Sequence, residues 1–466
     1  MLRVNRILAP LVLIILVHVL ILYKLMFFPY PELFVYPYLT NHGLKPYMEI
    51  LDQHFPGLMF LPVNFDNLGM NNEFIARVWL VSIVAVTHLL IFWVSRYIFK
   101  SSKKALLVNI LYLIWQPFFE GWALWIDSFL PLFLLPAFYL TYRLSIEKNI
   151  RYSLALLLGV VLGVGIVFKQ ILIPLSALVG LYLLITKKDL KLISYFTLGF
   201  LPAPLFMLYY FYLLGVLKDF WYWTTIYNLT TFAEYGRKAP FFTGVVRVSF
   251  VLIFAGLLAF IKDKKLIQVL AIYILGSLIA IYARFDFVHF QPALPFILMA
   301  TVLGFSTIWK KQKTKLALAG YIIVTIWWLV IFYKGHLSNR VLFFGEDIKS
   351  VVEIIKNNTD EGDRIFIFGT VPHLYQMTKT LPAGNIFVFP FPWFLRVSED
   401  RILEGIKKDA PEIIVADRTV EIEGQKITDF ASKIDKYILE NYQVFDNVGS
   451  TQIMRKISHS KKSFSH

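Results

Sequence analysis

The sequence predicts a polytopic α-helical membrane protein with about eleven transmembrane helices and a small C-terminal α/β soluble domain. Hydrophobic residues make up 58% of the 466 residues and charged residues only 17%. A soluble domain of this size needs more polar side chains to cover its surface. Apolar stretches near the roughly 20 residues that span a bilayer recur from residue 7 to residue 333. We therefore predict a membrane region at 1–335, a soluble domain at 336–457 and a polar tail at 458–466.

The first apolar stretch, from Ile7 to Phe28, predicts a helix that is retained in the protein. It is longer than the apolar core of a cleavable signal peptide, and no Ala-x-Ala-like site follows it. The chain contains no cysteine, which excludes disulfides and thiolate metal ligands.

The basic residues of the membrane region predict its orientation. Six short connections are rich in Lys or Arg: Met1–Arg6, Ser95–Lys104, Tyr142–Arg151, Thr186–Lys191, Lys262–Lys265 and Lys310–Lys315. The positive-inside rule places such connections in the cytoplasm. The alternate connections are longer or carry acidic and aromatic residues, at 29–74, around 119–127, around 169–171, 216–240 and 284–288. We predict a plasma-membrane protein with a cytoplasmic N-terminus and an extracytoplasmic C-terminal domain.

The net charge of +15 is unevenly distributed. Residues 336–466 carry 17 Lys+Arg against 18 Asp+Glu, so residues 1–335 hold an excess of 16 positive charges. The excess favours membrane lipid headgroups or phosphates as partners. Nucleic acid is excluded, because its binding needs a basic soluble surface.

The C-terminal domain shows alternating strand and helix patterns. Residues 346–357 are amphipathic and begin with acids, as a helix does, and helical patterns return at 399–408 and 427–441. Short apolar runs at 364–369 and 412–417 predict strands. The domain has no glycine-rich phosphate loop and no metal-ligand spacing. We interpret it as a packing or acceptor-guiding α/β layer.

The first outer loop, residues 29–74, is too long for a simple connection. It holds five of the 13 acidic residues of the membrane region: Glu32, Glu49, Asp52, Asp66 and Glu73. Glu49 and Asp52 lie three residues apart, so on a helix at the membrane surface they share a face. A carboxylate here could accept a proton from a hydroxyl or bind a divalent cation, and a solvated loop is the ordinary alternative. A divalent cation is therefore a candidate cofactor, and the sequence assigns it no ligands.

Asp127 and a set of outer basic residues are further candidates. Asp127 begins an apolar run, where an ionised carboxylate costs a few kcal/mol unless it is paired; helix capping is the alternative. Five basic residues lie near the outer ends of predicted helices: Lys24, Arg77, Lys169, Arg247 and Arg284. Together they predict a lipid-phosphate site, although each one alone could snorkel to headgroups. His289 is a candidate donor to the same phosphate.

Five segments resemble bacterial GT-C glycosyltransferases of the protein-mannosyltransferase and aminoarabinose-transferase type. They are GLKPYMEILDQHFPG (43–57), WIDSFLPLFLLPAFYL (125–140), GVVLGVGIVFKQ (159–170), ARFDFVHFQPALPF (283–296) and GDRIFIFGTVPHLY (362–375). Their order and their side of the membrane agree with that family. The resemblance implies an inverting hexosyl- or pentosyltransferase. Such an enzyme moves a sugar from a polyprenyl-phosphate carrier to an acceptor glycan, lipid or protein on the outer face.

The resemblance also assigns roles to residues. Glu49 matches the acid of the family's Pro-Tyr-x-Asp/Glu segment, and the fixed Pro46-Tyr47 before it favours Glu49 as the catalytic base. In that family an Asp-Glu pair follows the first helix. The matching positions here are Pro31 and Glu32, so Glu32 is the other candidate base. Asp127 is the third catalytic candidate. Basic positions that resemble those near the carrier phosphate are Lys169, Arg284 and His289. Arg77 completes the predicted phosphate site because of its place near an outer helix end, apart from the resemblance.

Two other classes of membrane protein fit part of the pattern. A polysaccharide polymerase or ligase also has many helices and one large outer loop. A transporter of a lipid-linked substrate would place charges near mid-membrane on broken helices, often with internal repeats. Here the charges gather at the outer surface, and the first-loop acid motif with Lys169-Gln170 favours the transferase.

Overall fold

Helices dominate the membrane region. The computed structural model describes residues 2–256, 261–308 and 312–457, so the predicted polar tail and part of the basic turn at 310–315 lie outside the described residues. The helices are α1 (Leu2–Lys24), α2 (Glu32–Asn41), α3 (Glu73–Phe99), α4 (Ser102–Gln116), α5 (Leu130–Ile146), α6 (Tyr152–Phe168), α7 (Leu172–Lys187), α8 (Leu190–Phe200), α9 (Pro202–Leu213), α10 (Leu217–Trp221), α11 (Phe242–Leu252), α12 (Lys264–Ala283), α13 (Leu294–Ile308) and α14 (Gln312–His336).

These helices confirm the predicted class of fold. Among the described residues, five segments are long and apolar enough to cross a bilayer: Glu73–Phe99, Ile126–Ile146, Leu190–Leu213, Lys264–Tyr282 and Lys315–His336. Shorter apolar helices occupy most of the other predicted spans. The number of eleven spans and the orientation stay predictions.

Glycines allow α6 and α8 to pack with their backbones in close contact. A Cβ atom on Gly159 would lie 2.1 Å from the carbonyl oxygen of Phe196, and one on Gly163 would lie 2.3 Å from that of Phe200. On α8, a Cβ atom on Gly199 would lie 2.1 Å from the carbonyl oxygen of Leu156. Small residues in membrane helices permit this approach. The packing fixes the end of α6, which carries Lys169.

The first outer loop folds differently from the sequence-based expectation. The predicted surface helix around Glu49 is wrong: residues 47–52 form a tight turn and a short strand, and the left-handed φ of 65° at Tyr47 interrupts any helix. The turn is closed by the Tyr47 amide, which donates to the carbonyl of Ile50 at 2.8 Å. Glu49 and Asp52 therefore do not share a helical face, and α2 begins instead at Glu32.

Short strands link this loop to the rest of the chain. They are β1 (Phe28–Pro29), β2 (Ile50–Leu51) and β3 (Ala123–Leu124), and β1 pairs with β3 in parallel. The pairing carries Tyr30 and Glu32, which follow β1, to the second outer connection, which contains Glu120 and Asp127.

The C-terminal region contains the predicted α/β layer. Its elements are α15 (Glu346–Lys356), β4 (Arg364–Phe368), α16 (Leu374–Thr378), β5 (Leu381–Pro382), β6 (Phe387–Val388), α17 (Pro392–Asp409), β7 (Ile413–Ala416), β8 (Glu421–Ile422), β9 (Gln425–Lys426), α18 (Ile427–Phe430), α19 (Ser432–Asn441), β10 (Tyr442–Val448) and β11 (Thr451–Lys456). The predicted strands at 364–369 and 412–417 are β4 and β7, which pair in parallel. The hairpin of β10 and β11 was not predicted, and it extends the sheet to the order β10-β11-β7-β4-β5.

The C-terminal region packs on the first outer loop. Strand β2 pairs in parallel with β6, Ile50 opposite Phe387. The Tyr38 hydroxyl donates to the carbonyl of Thr380 at 3.2 Å. These contacts join segments more than 300 residues apart, and a cavity lies between the start of the loop and the C-terminal region. The domain boundary at residue 335 stays a prediction.

Candidate active site

Three sequence-predicted residues meet in one buried cluster, which we call the Lys169 cluster: Asp127, Lys169 and His289. Asp127 lies in a 3₁₀ turn before α5, Lys169 follows the last residue of α6, and His289 lies in a 3₁₀ turn before α13. Lys169 forms an ion pair with Asp127 Oδ2, and His289 Nδ1 lies 3.0 Å from the same oxygen. His289 Nδ1 is 3.2 Å from Lys169 Nζ.

Asp127 holds the other two side chains in place. It is completely buried, and its Oδ2 is the shared partner of Lys169 and His289. A buried charge of this kind is tolerated because an opposite charge compensates it. When Nδ1 of His289 carries the proton, it donates to Asp127 and leaves Nε2 free for a ligand. Burial, followed by the charge of Lys169, lowers the pKa of His289 below its usual value, although Asp127 acts to raise it.

The residue after Lys169 ties the cluster to the first outer loop. The Gln170 side-chain amide donates to the carbonyl of Gln53 at 3.0 Å, and its oxygen accepts from the amide of Phe55 at 3.2 Å. Asn228 donates to the same Gln53 carbonyl at 3.0 Å. Lys169 and Gln170, which interrupt the apolar run, thus have different contacts. The side chain of Lys169 pairs with Asp127, and the side chain of Gln170 holds the first outer loop.

Glu32, in the first outer loop, is a second buried candidate residue. It begins α2, is 7% exposed, and its Oε2 has no hydrogen-bond partner among the described residues. Burial, with the nearby charge of Asp52, raises the pKa of Glu32 to about 8. A carboxyl group with its pKa near neutrality and a free oxygen can exchange a proton with a bound ligand.

The Tyr30 phenol lies within electrostatic reach of both Glu32 and Asp127 of the Lys169 cluster. After burial, the largest influences that raise the pKa of the Tyr30 phenol are the charges of Glu120, Asp286, Glu32 and Asp127, in that order. These carboxylates come from separate parts of the sequence, and all act on one phenol. The Tyr30 ring packs against Trp125 with ring centroids 4.6 Å apart.

Glu49, the favoured base in the sequence analysis, is not among the carboxylates that act on Tyr30. Its Oε2 accepts from the amide of Lys45 at 2.6 Å, and its backbone carbonyl accepts from the amide of Phe387. Its carboxylate thus closes its own turn. Asp52, which the sequence analysis did not list as a site residue, is buried and accepts from the Tyr36 hydroxyl at 2.7 Å and the His54 amide at 2.7 Å.

Two predicted phosphate-binding arginines have protein partners. Arg284 donates to Asp286 at 2.8 Å and to the carbonyl of Gly236 at 2.9 Å, and it also pairs with Glu423 of the C-terminal region. Its guanidinium therefore joins the membrane region to β8 and β9.

Arg77 donates to backbone carbonyls at the end of α1, including that of Tyr23 at 2.8 Å, and its guanidinium lies 4.7 Å from the Phe27 ring centroid. Helix C-termini attract cations in this manner. The geometry gives Arg77 a structural role at the end of α1 in place of the predicted phosphate contact.

Sequence reasoning left Glu120 off its list of site residues, although it lies in the outer segment that contains Asp127. Its backbone adopts a left-handed conformation, φ 58°, which is uncommon for a residue with a side chain. Burial, with the charge of Asp286, raises the pKa of Glu120 to about 7, and its Oε2 accepts from the amide of Val288 at 3.0 Å. No sequence pattern predicts a left-handed conformation at Glu120, so only the structure shows it.

Two cavities adjoin the site. An apolar groove of about 270 Å³ is lined by the first outer loop, the end of α6 and the start of α9; its lining includes Gly57, Leu58, Val167, Phe168 and Phe206. A larger cavity of about 590 Å³ lies between the first outer loop and the C-terminal region, and both Tyr30 and Glu32 line it. The Lys169 cluster thus follows a residue that lines the apolar groove, and Glu32 lines the larger cavity.

A divalent cation has no evident set of ligands here. The described residues contain no group of three or more His, Cys, Asp or Glu side chains placed to hold a metal ion. The most buried carboxylate, Asp127, already faces the charge of Lys169. The donors present do not fit a cation, and we derive no step through one.

Solved structures share this architecture. ArnT from Cupriavidus metallidurans bound to undecaprenyl phosphate gives a TM-score of 0.61 at 11% sequence identity, covering 98% of this chain and 98% of that chain. The apo state of the same ArnT gives a TM-score of 0.61 at 11% sequence identity, covering 97% of this chain and 98% of that chain. The Archaeoglobus fulgidus oligosaccharyltransferase tethered with an acceptor peptide gives 0.55 at 11%, covering 96% of this chain and 74% of that chain. Neither a family model nor a curated protein matches the sequence.

These neighbours define the class of fold. ArnT, an aminoarabinose transferase, and the oligosaccharyltransferase are both GT-C glycosyltransferases. The chain has the GT-C fold, which confirms the fold that the motifs resembled. The likeness to ArnT extends over both regions, from α1 to the C-terminal sheet. At 11% identity it establishes the fold alone.

Proposed function

We propose that the chain is a glycosyltransferase that moves a sugar from a polyprenyl-phosphate carrier to an acceptor hydroxyl on the outer face of the membrane. The observation that carries this proposal is the position of the Lys169 cluster. Phe168, which directly precedes Lys169, lines an apolar groove, and Glu32, whose charge acts on the same Tyr30 phenol as that of Asp127, lines the larger cavity. The structure of ArnT bound to undecaprenyl phosphate supports the same class of donor.

The donor binds with its lipid tail in the apolar groove and its phosphate at Lys169. Phe168 lines the groove and directly precedes Lys169, so the apolar wall and the cation are adjacent. Lys169 can donate to a phosphate oxygen, and His289 can do so through Nε2 when both of its ring nitrogens are protonated, while Asp127 keeps the two side chains oriented. Arg284 serves in this proposal as a link to the C-terminal region, because its guanidinium is already paired.

Glu32 acts as the general base. It accepts the proton of the acceptor hydroxyl while the hydroxyl oxygen forms a bond to the anomeric carbon. The bond from that carbon to the phosphate oxygen breaks, and its electron pair leaves with the phosphate. Lys169 and His289 stabilise the charge that develops there. A single displacement of this kind inverts the anomeric centre.

The proposed base is thus Glu32, whereas the sequence motif favoured Glu49. Glu32 is buried, has a free oxygen and lines the cavity, whereas Glu49 closes its own turn. Asp127 is a positioning residue, because Lys169 and His289 share its Oδ2. The sugar, and whether it is a hexose or a pentose, is left to experiment.

The test is transfer from a panel of radiolabelled polyprenyl-phosphate sugars by purified protein in nanodiscs. Glu32→Gln should lower turnover by about 10²–10⁴-fold, the usual loss for a general base, with carrier binding retained. Glu49→Gln is the matched control and should keep turnover within a few-fold of wild type. The opposite ranking would return the base to Glu49, and transfer from no donor in the panel would contradict the proposed function.

A further inference from the structure

The large cavity above Glu32 has a distinctive lining, and we propose that it binds the acceptor as a carbohydrate without acidic groups. This inference rests on the proposed function and names the acceptor class for the same site. The cavity of about 590 Å³ falls in the usual range of small-ligand sites. It opens at the carboxyl ends of the parallel strands β4 and β7, where α/β sheets commonly bind ligands.

The charge of the lining is entirely acidic. Five carboxyl groups line the cavity, those of Glu32, Asp347, Asp417, Glu421 and Glu423, and no Lys, Arg or His of the described chain does so. Protein partners occupy two of these groups: Asp417 accepts from Thr419 and Ser450, and Glu423 pairs with Arg284. The remaining carboxylates can accept hydrogen bonds from hydroxyl groups, and together they repel phosphate or carboxylate groups on a ligand.

The unpartnered oxygen of Glu32 indicates where the acceptor hydroxyl lies. Glu32 is 7% exposed, lines the cavity, and its Oε2 has no hydrogen-bond partner among residues that the structure describes. A buried polar atom without a partner costs stability unless a ligand satisfies it. A hydroxyl donor fits this atom, and hydroxyl is also the group that the proposed reaction deprotonates.

Aromatic rings supply the second half of the lining. Phe28, Tyr30, Phe343, Phe389 and Phe391 all line the cavity. The rings of Phe28 and Tyr30 stack with centroids 4.3 Å apart. Ring faces carry negative charge density and attract the polarised C–H groups of a sugar ring. Carboxylates beside aromatic faces therefore fit a polyhydroxylated ligand.

Phe343 is held in this lining at a conformational cost. Its φ is 66°, a region that residues with side chains seldom adopt, and its side chain is 42% exposed. The buried His373 makes a 2.8 Å hydrogen bond through Nε2 to the Phe343 carbonyl, and the ring meets Phe28 edge-on at 5.3 Å. A strained, exposed aromatic residue that is fixed by a buried partner is expected where the ring contacts a ligand.

The test measures binding of oligosaccharides to the full-length protein in nanodiscs by calorimetry. The probes are maltotetraose as the neutral ligand, a chitosan tetramer as the cationic one, tetragalacturonate as the acidic one, and a threonine-containing lysine peptide as the non-carbohydrate one. We expect the neutral and cationic probes to bind and the acidic probe to bind at least about tenfold more weakly. Asp347→Asn combined with Glu421→Gln should narrow that difference.

Phe343→Gly separates ligand contact from folding, because glycine accepts the positive φ without strain. It should keep or raise the thermal stability and yet weaken maltotetraose binding by about tenfold. Lys379→Gly, at φ 58° and outside the cavity, is the matched control and should bind normally.

Three results would overturn the acceptor class. They are equal or tighter binding of tetragalacturonate, unchanged maltotetraose binding by Phe343→Gly, and tighter binding of a threonine-containing lysine peptide than of any sugar. If the acidic probe binds and Arg237→Ala with Arg396→Ala abolishes it, the acceptor site is the adjacent cleft that these arginines line. Binding of a polyprenyl phosphate to the same samples reports on the donor site separately, so failure of the acceptor proposal is distinguishable from failure of the proposed function.

Discussion

The role of an individual residue in this site depends more on its partners than on its residue type. Arg77, Lys169 and Arg284 all lie at outer helix ends, yet one caps a helix, one enters the site and one links two regions. Only Lys169 pairs with a completely buried carboxylate, that of Asp127, among these three. The pair is therefore the place where a single substitution should have the largest effect.

We expect Lys169→Met to destabilise the protein by about 3–5 kcal/mol, because it leaves a buried charge on Asp127 without compensation. The double variant Lys169→Gln with Asp127→Asn replaces the ion pair with a neutral hydrogen-bonded pair and should recover most of that stability. Thermal unfolding in detergent measures the difference. The double variant should still lose carrier binding, and normal binding would show that the phosphate contacts other residues.

The pKa of Glu32 gives a second prediction at this scale. A base must be deprotonated to act, so kcat/KM should rise with pH up to about 8 and then level. The folded-state pKa is raised, so the folded protein holds this proton more tightly than the unfolded chain, and stability should fall as pH rises between about 4.5 and about 8. Glu32→Gln should remove both effects.

Glu120 supplies the control, because its pKa is also raised, to about 7. Glu120→Gln should keep the rise of kcat/KM with pH. If the rise disappears in Glu120→Gln and persists in Glu32→Gln, the titrating group of the reaction is Glu120.

Whole elements place these residues through backbone packing. Helix α6 ends at Phe168, and its register against α8 depends on glycines whose added Cβ atoms would meet backbone oxygens. Backbone cannot move aside as a flexible side chain can. The position of Lys169 thus depends on residues one and more turns before it.

Gly163→Leu should therefore destabilise the protein by about 1–3 kcal/mol, the usual cost of overpacking, and should reduce carrier binding. Gly320→Leu is the control, because a Cβ atom at Gly320 in α14 meets nothing within 4 Å. The control should be neutral or slightly stabilising, since glycine is a poor helix former. Equal effects of the two substitutions on thermal unfolding would rule out a special role for the α6–α8 contact.

The orientation of the whole molecule follows from its basic turns and is open to a direct test. Asn149 lies in a predicted cytoplasmic connection and Glu361 in the C-terminal region, and both are exposed. The chain has no native cysteine, so single cysteines can be introduced without background. An impermeant maleimide added to intact cells should label Glu361→Cys and leave Asn149→Cys unlabelled until the membrane is opened. The reverse pattern would invert the topology.

The sequence by itself determined the class of molecule and most of its elements. Apolar stretches determine the membrane helices, because a bilayer requires runs of apolar residues. The short runs RIFIFG and EIIVAD determined β4 and β7, because buried parallel strands are continuously apolar. The interruption at Lys169-Gln170 marked a residue with a buried partner, since a charge within an apolar run needs one.

Tertiary structure alone decided which of the acids converge. Asp127 meets Lys169 from 42 residues away and His289 from 162 residues away, and no local pattern specifies such pairs. The motif favoured Glu49, but pairing of β2 with β6 turned that segment away from a helix, while the pairing of β1 with β3 brought Glu32 toward Asp127. Hydropathy and turn signals act over a few residues, whereas the site depends on burial and charge shared between distant segments.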